Sequence, residues 1–312
     1  MIPADETFNG TFPFKPHFFT GRGFKMHYVD EGKGESLICL HGQPTWAYLY
    51  RKFIPKLSRH YRVIVPDYMG YGKSETPKDR EYSFKTHVEN LAALIDYLEL
   101  DQITIVCQDW GGPIAGSYAL RYPDKIKRFC LMNTMFGYGG VVRGVPEANP
   151  KPPALTDSPW FQWVLKAYEL GYYRSIMEQL GDHVVSNMKK LNFTNSSVIT
   201  PEWIRAYSLP FETPEETIAA VEFPLDAALN RIKDYVVEGI KMGNLEKVRA
   251  KPAMLAEGME DKAMPPALVM DDFRRLFPEG PILELENVGH FCQEDAPETL
   301  LALIHQFIQM TP

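Results

Sequence analysis

The chain is poor in cysteine, in positive charge and in long apolar runs, and each shortage excludes a class of protein. Its 312 residues hold four cysteines, Cys39, Cys107, Cys130 and Cys292, with no C-x-x-C pair among them. Metal clustering of that kind is therefore not encoded. Three of the four lie in strand-like runs and Cys292 stands close to His290; all are expected to be reduced, buried thiols that pack as small hydrophobes. Lys and Arg number 33 against 40 Asp and Glu, a net charge of -7 with pI near 5.7 and no basic run. Neither nucleic acid nor an anionic membrane is a natural partner for such a surface. Nowhere do about 18 uninterrupted apolar residues occur, and Met1 to Phe14 has no positive segment leading into an apolar run. The expected compartment is the cytoplasm. What is present is 45% hydrophobic content, ample for one large α/β domain or a domain with an insertion.

The most informative stretch is Cys107, Gln108, Asp109, Trp110, Gly111, Gly112, set between a strand-like run, Ile103 to Val106, and a helix-like run, Ile114 to Arg121. A strand, a residue beside small glycines and a helix start describe a nucleophile elbow, the sharp turn that lifts one side chain above the sheet of an α/β-hydrolase. Most such elbows carry serine. Here the place belongs to Asp109, so the expected intermediate is an ester on a carboxylate, a nucleophile that attacks saturated carbon as well as carbonyls. The indole N–H of Trp110 donates and cannot accept, which suits an anion held just beyond the nucleophile. The pair suggests a halide leaving group.

The rest of the chain alternates strands with helices, as a mostly parallel, doubly wound sheet requires. Phe24 to Asp30 alternates apolar and polar residues and predicts a half-exposed strand on an antiparallel edge. Ser36 to Leu40 predicts a buried strand leading to His41, Gly42, Gln43 and Pro44, a loop that in this fold lends a backbone amide to an oxyanion hole. Trp46 to Leu57 is spaced as a helix, Arg62 to Val65 as a strand, Tyr82 to Leu98 as a helix and Ile126 to Met132 as a strand. Gly70 to Ser74 has only Tyr71 between its first glycine and Gly-Lys, where a phosphate-binding loop needs four residues, so a nucleotide site is excluded. From Gly137 the texture changes: Gly137, Gly139, Gly140, Gly144, Pro146, Pro150, Pro152 and Pro153 open a segment rich in aromatics and helical runs, reaching about Asn230. The expected organisation is a core over 1–136, an inserted helical cap over 137–230, and the rest of the core over 231–312. The cap aromatics Trp160, Phe161, Trp163, Tyr168, Tyr172, Tyr173, Trp203, Tyr207 and Phe211 are candidates to line a cavity, although helix packing is the commoner use of each. Ile232 to Val248 then predicts helix, Ala253 to Ala256 strand, Pro265 to Phe277 helix, Ile282 to Glu286 strand and Glu298 to Ile308 a closing helix. There is no internal repeat or low-complexity tract.

Open α/β sheets bind ligands beyond the carboxyl ends of their strands. The loops there supply Gln43, Asp109 with Trp110, Asp261 and His290, in the chain order nucleophile, acid, histidine expected of α/β-hydrolases. For the acid, Asp261 competes with Glu257, Glu260 and Asp295, and its distance past the strand favours it.

These residues carry a family likeness. His41-Gly42-Gln43-Pro44 with Thr45 to Arg51, Asp67 to Ser74, Gln108-Asp109-Trp110-Gly111-Gly112, Gly258-Met259-Glu260-Asp261-Lys262 and Gly289-His290-Phe291-Cys292-Gln293-Glu294 resemble the haloalkane dehalogenases, in the branch whose nucleophile motif reads Gln-Asp-Trp-Gly-Gly. Some relatives carry a glutamate where this chain has Asn133, so the resemblance implies Asp261 as the acid. It also implies halide donors: Trp110, Gln43, which stands where the family often has Asn or Glu, and a cap tryptophan, for which Trp163 is preferred over Trp160. The implied reaction turns a small apolar haloalkane into alcohol, halide and proton. Asp109 is the nucleophile, the backbone amides of Gln43 and Trp110 form the oxyanion hole, His290 is the base and Asp261 orients it. No cofactor or metal is expected, and the chain is expected to be a monomer or homodimer. Three alternatives stay open. An epoxide hydrolase would need tyrosine donors, for which Tyr168, Tyr172, Tyr173 and Tyr207 are candidates; a β-lactone-cleaving relative and a binding protein without turnover are the others.

Overall fold

The apolar runs become the strands of one sheet in the computed structural model, which describes residues 2–138 and 151–312. The expected linker residues Gly139, Gly140, Gly144, Pro146 and Pro150 lie outside the described residues. The strands are β1 (His17–Phe19), β2 (Met26–Glu31), β3 (Ser36–Leu40), β4 (Arg62–Pro66), β5 (Ile103–Gln108), β6 (Ile126–Met132), β7 (Ala253–Gly258) and β8 (Ile282–Leu285). They lie in the order β1-β2-β4-β3-β5-β6-β7-β8. β1 pairs with β2, and β2 with β4, antiparallel; all the other pairs are parallel. β5 and β7 are buried along their whole length, as a parallel sheet covered on both faces demands.

β2 departs from expectation. It is not the edge, because β1 adds outside it, and its alternation does not mark a wet face. His27, read as polar and outward, is wholly buried, with Nδ1 2.8 Å from Asp67 Oδ2. The charged partner is what lets a polar residue sit inside. Trp46 to Leu57 also differs, forming a 3-10 turn, Ala47–Tyr50, and a single helical turn, Ile54–Leu57. Pro55 favours a fresh helix start, having no amide with which to continue an earlier one.

The parallel register puts the site together. Leu40 lies opposite Cys107, Gln108 opposite Met132, and Met132 opposite Ala256. The residues that follow therefore leave the sheet along one edge. Beyond that edge lie helices from the segment between β6 and β7, among them Pro159–Glu169, Leu180–Leu191, Pro201–Ser208 and Ile218–Ala228. Ser158 and Thr200 cap two of them through their side-chain oxygens, each followed by a proline that needs no amide partner. Trp46 Nε1 donates to Ala206 O at 2.8 Å, and Glu294 accepts from Arg51, from Trp203 Nε1 at 3.1 Å and from the Tyr207 hydroxyl at 2.9 Å. These bonds tie that segment to the sheet.

Candidate active site

Asp109 follows β5 with φ at +50°, a conformation that a side-chain-bearing residue keeps only when its surroundings impose it. They do so here. Asp109 N donates to Asn133 O at 3.2 Å, while Asp109 O accepts from the Thr134 hydroxyl at 2.5 Å and from Gly112 N at 3.1 Å. The turn aims the carboxylate at the loop after β3, where Gln43 N donates to Oδ1 at 2.7 Å. Gly42 makes the approach possible: a Cβ there would lie 2.1 Å from that oxygen.

The other carboxylate oxygen, Oδ2, lies 3.4 Å from His290 Nε2. His290 Nδ1 lies 2.8 Å from Asp261 Oδ2, and Asp261 Oδ1 accepts from Ala263 N at 2.7 Å and Met264 N at 3.0 Å. Asp109, His290 and Asp261 thus form one connected row. Burial alone lowers the proton affinity of the His290 imidazole, but Asp261 and then Asp109 outweigh it and push the pKa up to about 10. The rival acids are placed otherwise. Asp295 accepts from the amides of Gly289, Thr194 and Asn195. Glu257 is fully buried with no side-chain hydrogen-bond partner among the described residues, and burial, with Asp261 nearby, raises its pKa well above the usual carboxylate range.

A cavity of about 560 Å3 opens beside this row. Asp109, Trp110, Gln43, Trp160, Phe161, Leu191 and Pro224 are among the residues that line it. Trp110 stacks on Phe223, with centroids 4.6 Å apart and planes 12° apart, and its indole N–H meets no acceptor among the described residues. The Gln43 side chain is pinned, Oε1 accepting from the Tyr71 hydroxyl at 2.6 Å and Nε2 donating to Ala220 O at 3.2 Å, which leaves one N–H. Trp163 is not among the described lining residues. It stacks at 5.1 Å on Trp160, which is. Of the expected cap aromatics only Trp160 and Phe161 reach the cavity. Tyr168 and Tyr172 face solvent, while Tyr173 and Tyr207 donate their hydroxyls to Val221 O and Glu294. All four cysteines are free and buried.

Two further residues hold the row, and neither was given a role from sequence. Asn133 donates to Asp261 Oδ2 at 2.9 Å and accepts from Gly258 N at 3.0 Å. Gln108 faces His290. Asn133 had a signal, an amide where relatives carry a carboxylate; Gln108 had only its place before the nucleophile.

A sheet of this order with a strained strand-to-helix turn after β5 and a histidine after its last strand defines an α/β-hydrolase. The chain belongs to that family, whose model, described as alpha/beta hydrolase fold, matches residues 35–297, and within it to the group that takes in the haloalkane dehalogenases. It is 30% identical to a haloalkane dehalogenase of Psychrobacter cryohalolentis, covering 96% of this chain and 94% of that one. It is also 30% identical to a cis-3-alkyl-4-alkyloxetan-2-one decarboxylase of Shewanella oneidensis, covering 96% and 90%. Among solved structures, the tetrameric haloalkane dehalogenase DpaA of Paraglaciecola agarilytica superposes with a TM-score of 0.72 at 27% identity, over 94% of this chain and 92% of that one. No helix among the described residues is long and apolar enough to cross a membrane.

Proposed function

We propose that this chain hydrolyses haloalkanes to alcohol, halide and proton through an ester on Asp109. The observation that carries the reading is the meeting, in one largely apolar cavity, of a carboxylate on a strained turn and an indole N–H without an acceptor, with a buried histidine 3.4 Å behind that carboxylate and backed by a second one. Asp109 attacks the carbon that bears the halogen; the carbon–oxygen bond forms as the carbon–halogen bond breaks, and the halide leaves with the electron pair. Trp110 stabilises the departing anion. Trp160, which lines the cavity, replaces Trp163 as the candidate for a second indole donor, and the free N–H of Gln43 is a further one. Water then gives a proton to His290 Nε2 and adds to the ester carbon, with the amides of Gln43 and Trp110 holding the oxyanion. Collapse breaks the bond to the alkyl oxygen, which takes the proton back from His290 and leaves as the alcohol; the carboxylic acid left on Asp109 releases the product proton, and Asp261 stabilises the imidazolium meanwhile. In this reading the helices between β6 and β7 act as a cap, spanning about residues 137–230, that closes the cavity against water.

The epoxide reading loses support, because no tyrosine lines the cavity among the described residues. Opening of a β-lactone keeps support from the oxetanone-acting relative of Shewanella oneidensis, as similar in sequence as the dehalogenase. Halide release from 1-bromobutane, 1,2-dibromoethane and 1-chlorobutane separates the two readings. The expected result is release of halide with acidification, abolished by Asp109→Ala. Silence on all three, with turnover of a dialkyl β-lactone, would reassign the site.

A further inference from the structure

Gln108 closes β5 immediately before Asp109 and is wholly buried. Its amide nitrogen lies 3.0 Å from the carbonyl oxygen of His290 and 3.1 Å from His290 Nε2. The first contact fixes which end of the amide faces the histidine, since a carbonyl only accepts and the NH2 group only donates. The second contact then follows for the neutral ring: Nε2 faces a donor and serves as the acceptor. On the other side of the ring, Nδ1 lies 2.8 Å from Asp261 Oδ2, so Nδ1 carries the proton. The amide oxygen of Gln108 is buried and has no partner among the described residues. A buried amide used only for packing would satisfy both ends; leaving one end unpaired carries a cost. This amide is held for its donor end.

A general base needs such a device here. The titratable groups facing His290 are Asp109 from the elbow, Asp261 from the loop after β7 and Glu257 from β7 itself. The two carboxylates draw a proton onto the ring, and a protonated ring cannot take one from water. The Gln108 donor opposes them, since it meets the Nε2 lone pair well and an Nε2–H badly. Esterification of Asp109 acts in the same direction by removing a neighbouring negative charge. Both effects favour a bare Nε2 at the step where water must be deprotonated.

We propose that Gln108 is a positioning residue that holds the neutral His290 ring as its Nδ1–H tautomer, with the Nε2 lone pair presented beside Asp109, and so serves ester hydrolysis rather than ester formation. The kinetic consequence rests on the dehalogenation reading; the tautomer and its titration do not.

The test uses the full chain with 15N-labelled histidine, His290 being assigned by its loss in His290→Gln. Above the titration midpoint, where the ring is neutral, it should show a proton on Nδ1 and a bare Nε2. Gln108→Met, which removes the donor at similar length, should raise the titration midpoint of His290 by about one pH unit, an amount equal to roughly 1.4 kcal/mol. Gln108→Glu should raise it further. With 1-bromobutane, the halide burst of Gln108→Met should keep its amplitude, while the acid limb of alcohol formation moves up in pH by the same interval as the midpoint. A neutral ring protonated on Nε2 would overturn the proposal, a result readable on the wild-type chain should the variants fail to fold. So would an unchanged midpoint, or a loss of turnover uniform across pH, either of which leaves Gln108 a packing role. Absence of halide release from the wild type would defeat the dehalogenation reading, and the titration would still decide the part played by Gln108.

Discussion

Trp110 has two separable uses. Its ring fills space against Phe223 and Phe84, and its indole N–H stands at the cavity without an acceptor. Trp110→Phe keeps most of the stacking and removes the donor. Loss of one preorganised donor to a developing anion costs on the order of a hundredfold in rate, so single-turnover halide release should fall by about that factor while the melting temperature changes little. Equal rates would end the leaving-group role. Residues of this kind were legible because the elbow is a local pattern: strand, Asp109, Trp110 and glycines lie within a few positions. The candidate cap donor was not. Trp160 and Trp163 sit three apart on one helix, Pro159–Glu169, and share a neighbourhood. Only the packing decides that Trp160 lines the cavity while Trp163 stacks behind it.

At the scale of elements, the end of helix Leu180–Leu191 stitches together the loops that carry Asp261 and His290. His290 N donates to Asn192 O at 2.8 Å, Lys262 N to Leu191 O at 3.1 Å, and the Asn192 side chain to Glu260 O at 2.7 Å. Asn192 adopts φ of +82° to reach both loops. The contact is close enough to require glycine at 289, where a Cβ would lie 2.6 Å from Asn192 O. Backbone on both sides leaves nothing flexible to yield. Gly289→Ala should therefore lower stability by about 1–3 kcal/mol and reduce turnover by displacing His290, measured by denaturant melts and by halide release at saturating substrate. Unchanged stability would show that the loop and helix move apart freely. Most strands were readable from apolar runs, whereas this stitch was not, because it joins residues about 70 to 100 positions apart, mostly through backbone atoms that carry no side-chain signature. β1 escaped notice for a similar reason. Three residues are too few for a period, and the strand exists by pairing with β2.

For the whole molecule, pH enters through buried carboxyls as well as through the active site. Asp272 accepts from Phe136 N at 3.2 Å, and Asp226 from Phe84 N at 3.0 Å; burial raises both pKa values to about 6, against 3.8 in an exposed chain. Between pH 3.8 and about 6 the folded state holds more protons at these groups than the unfolded chain does. Their contribution to stability is complete below the lower value and lost as pH rises through the upper one. Asp272→Asn removes one of the two contributions. The change in melting temperature between pH 4 and pH 7 should then differ from that of the wild type, with the variant gaining stability relative to the wild type as pH rises. A parallel pair of curves would show that Asp272 does not titrate in that window. The central claim, however, concerns one bond: an ester between substrate carbon and Asp109, formed as halide leaves and cleaved with the help of His290. His290→Gln separates the two half-reactions. Incubated with 1-bromobutane and examined by intact and peptide mass spectrometry, the variant is predicted to release bromide once and to carry one butyl group on Asp109. An unmodified protein, a butyl group elsewhere, or repeated turnover would contradict the account.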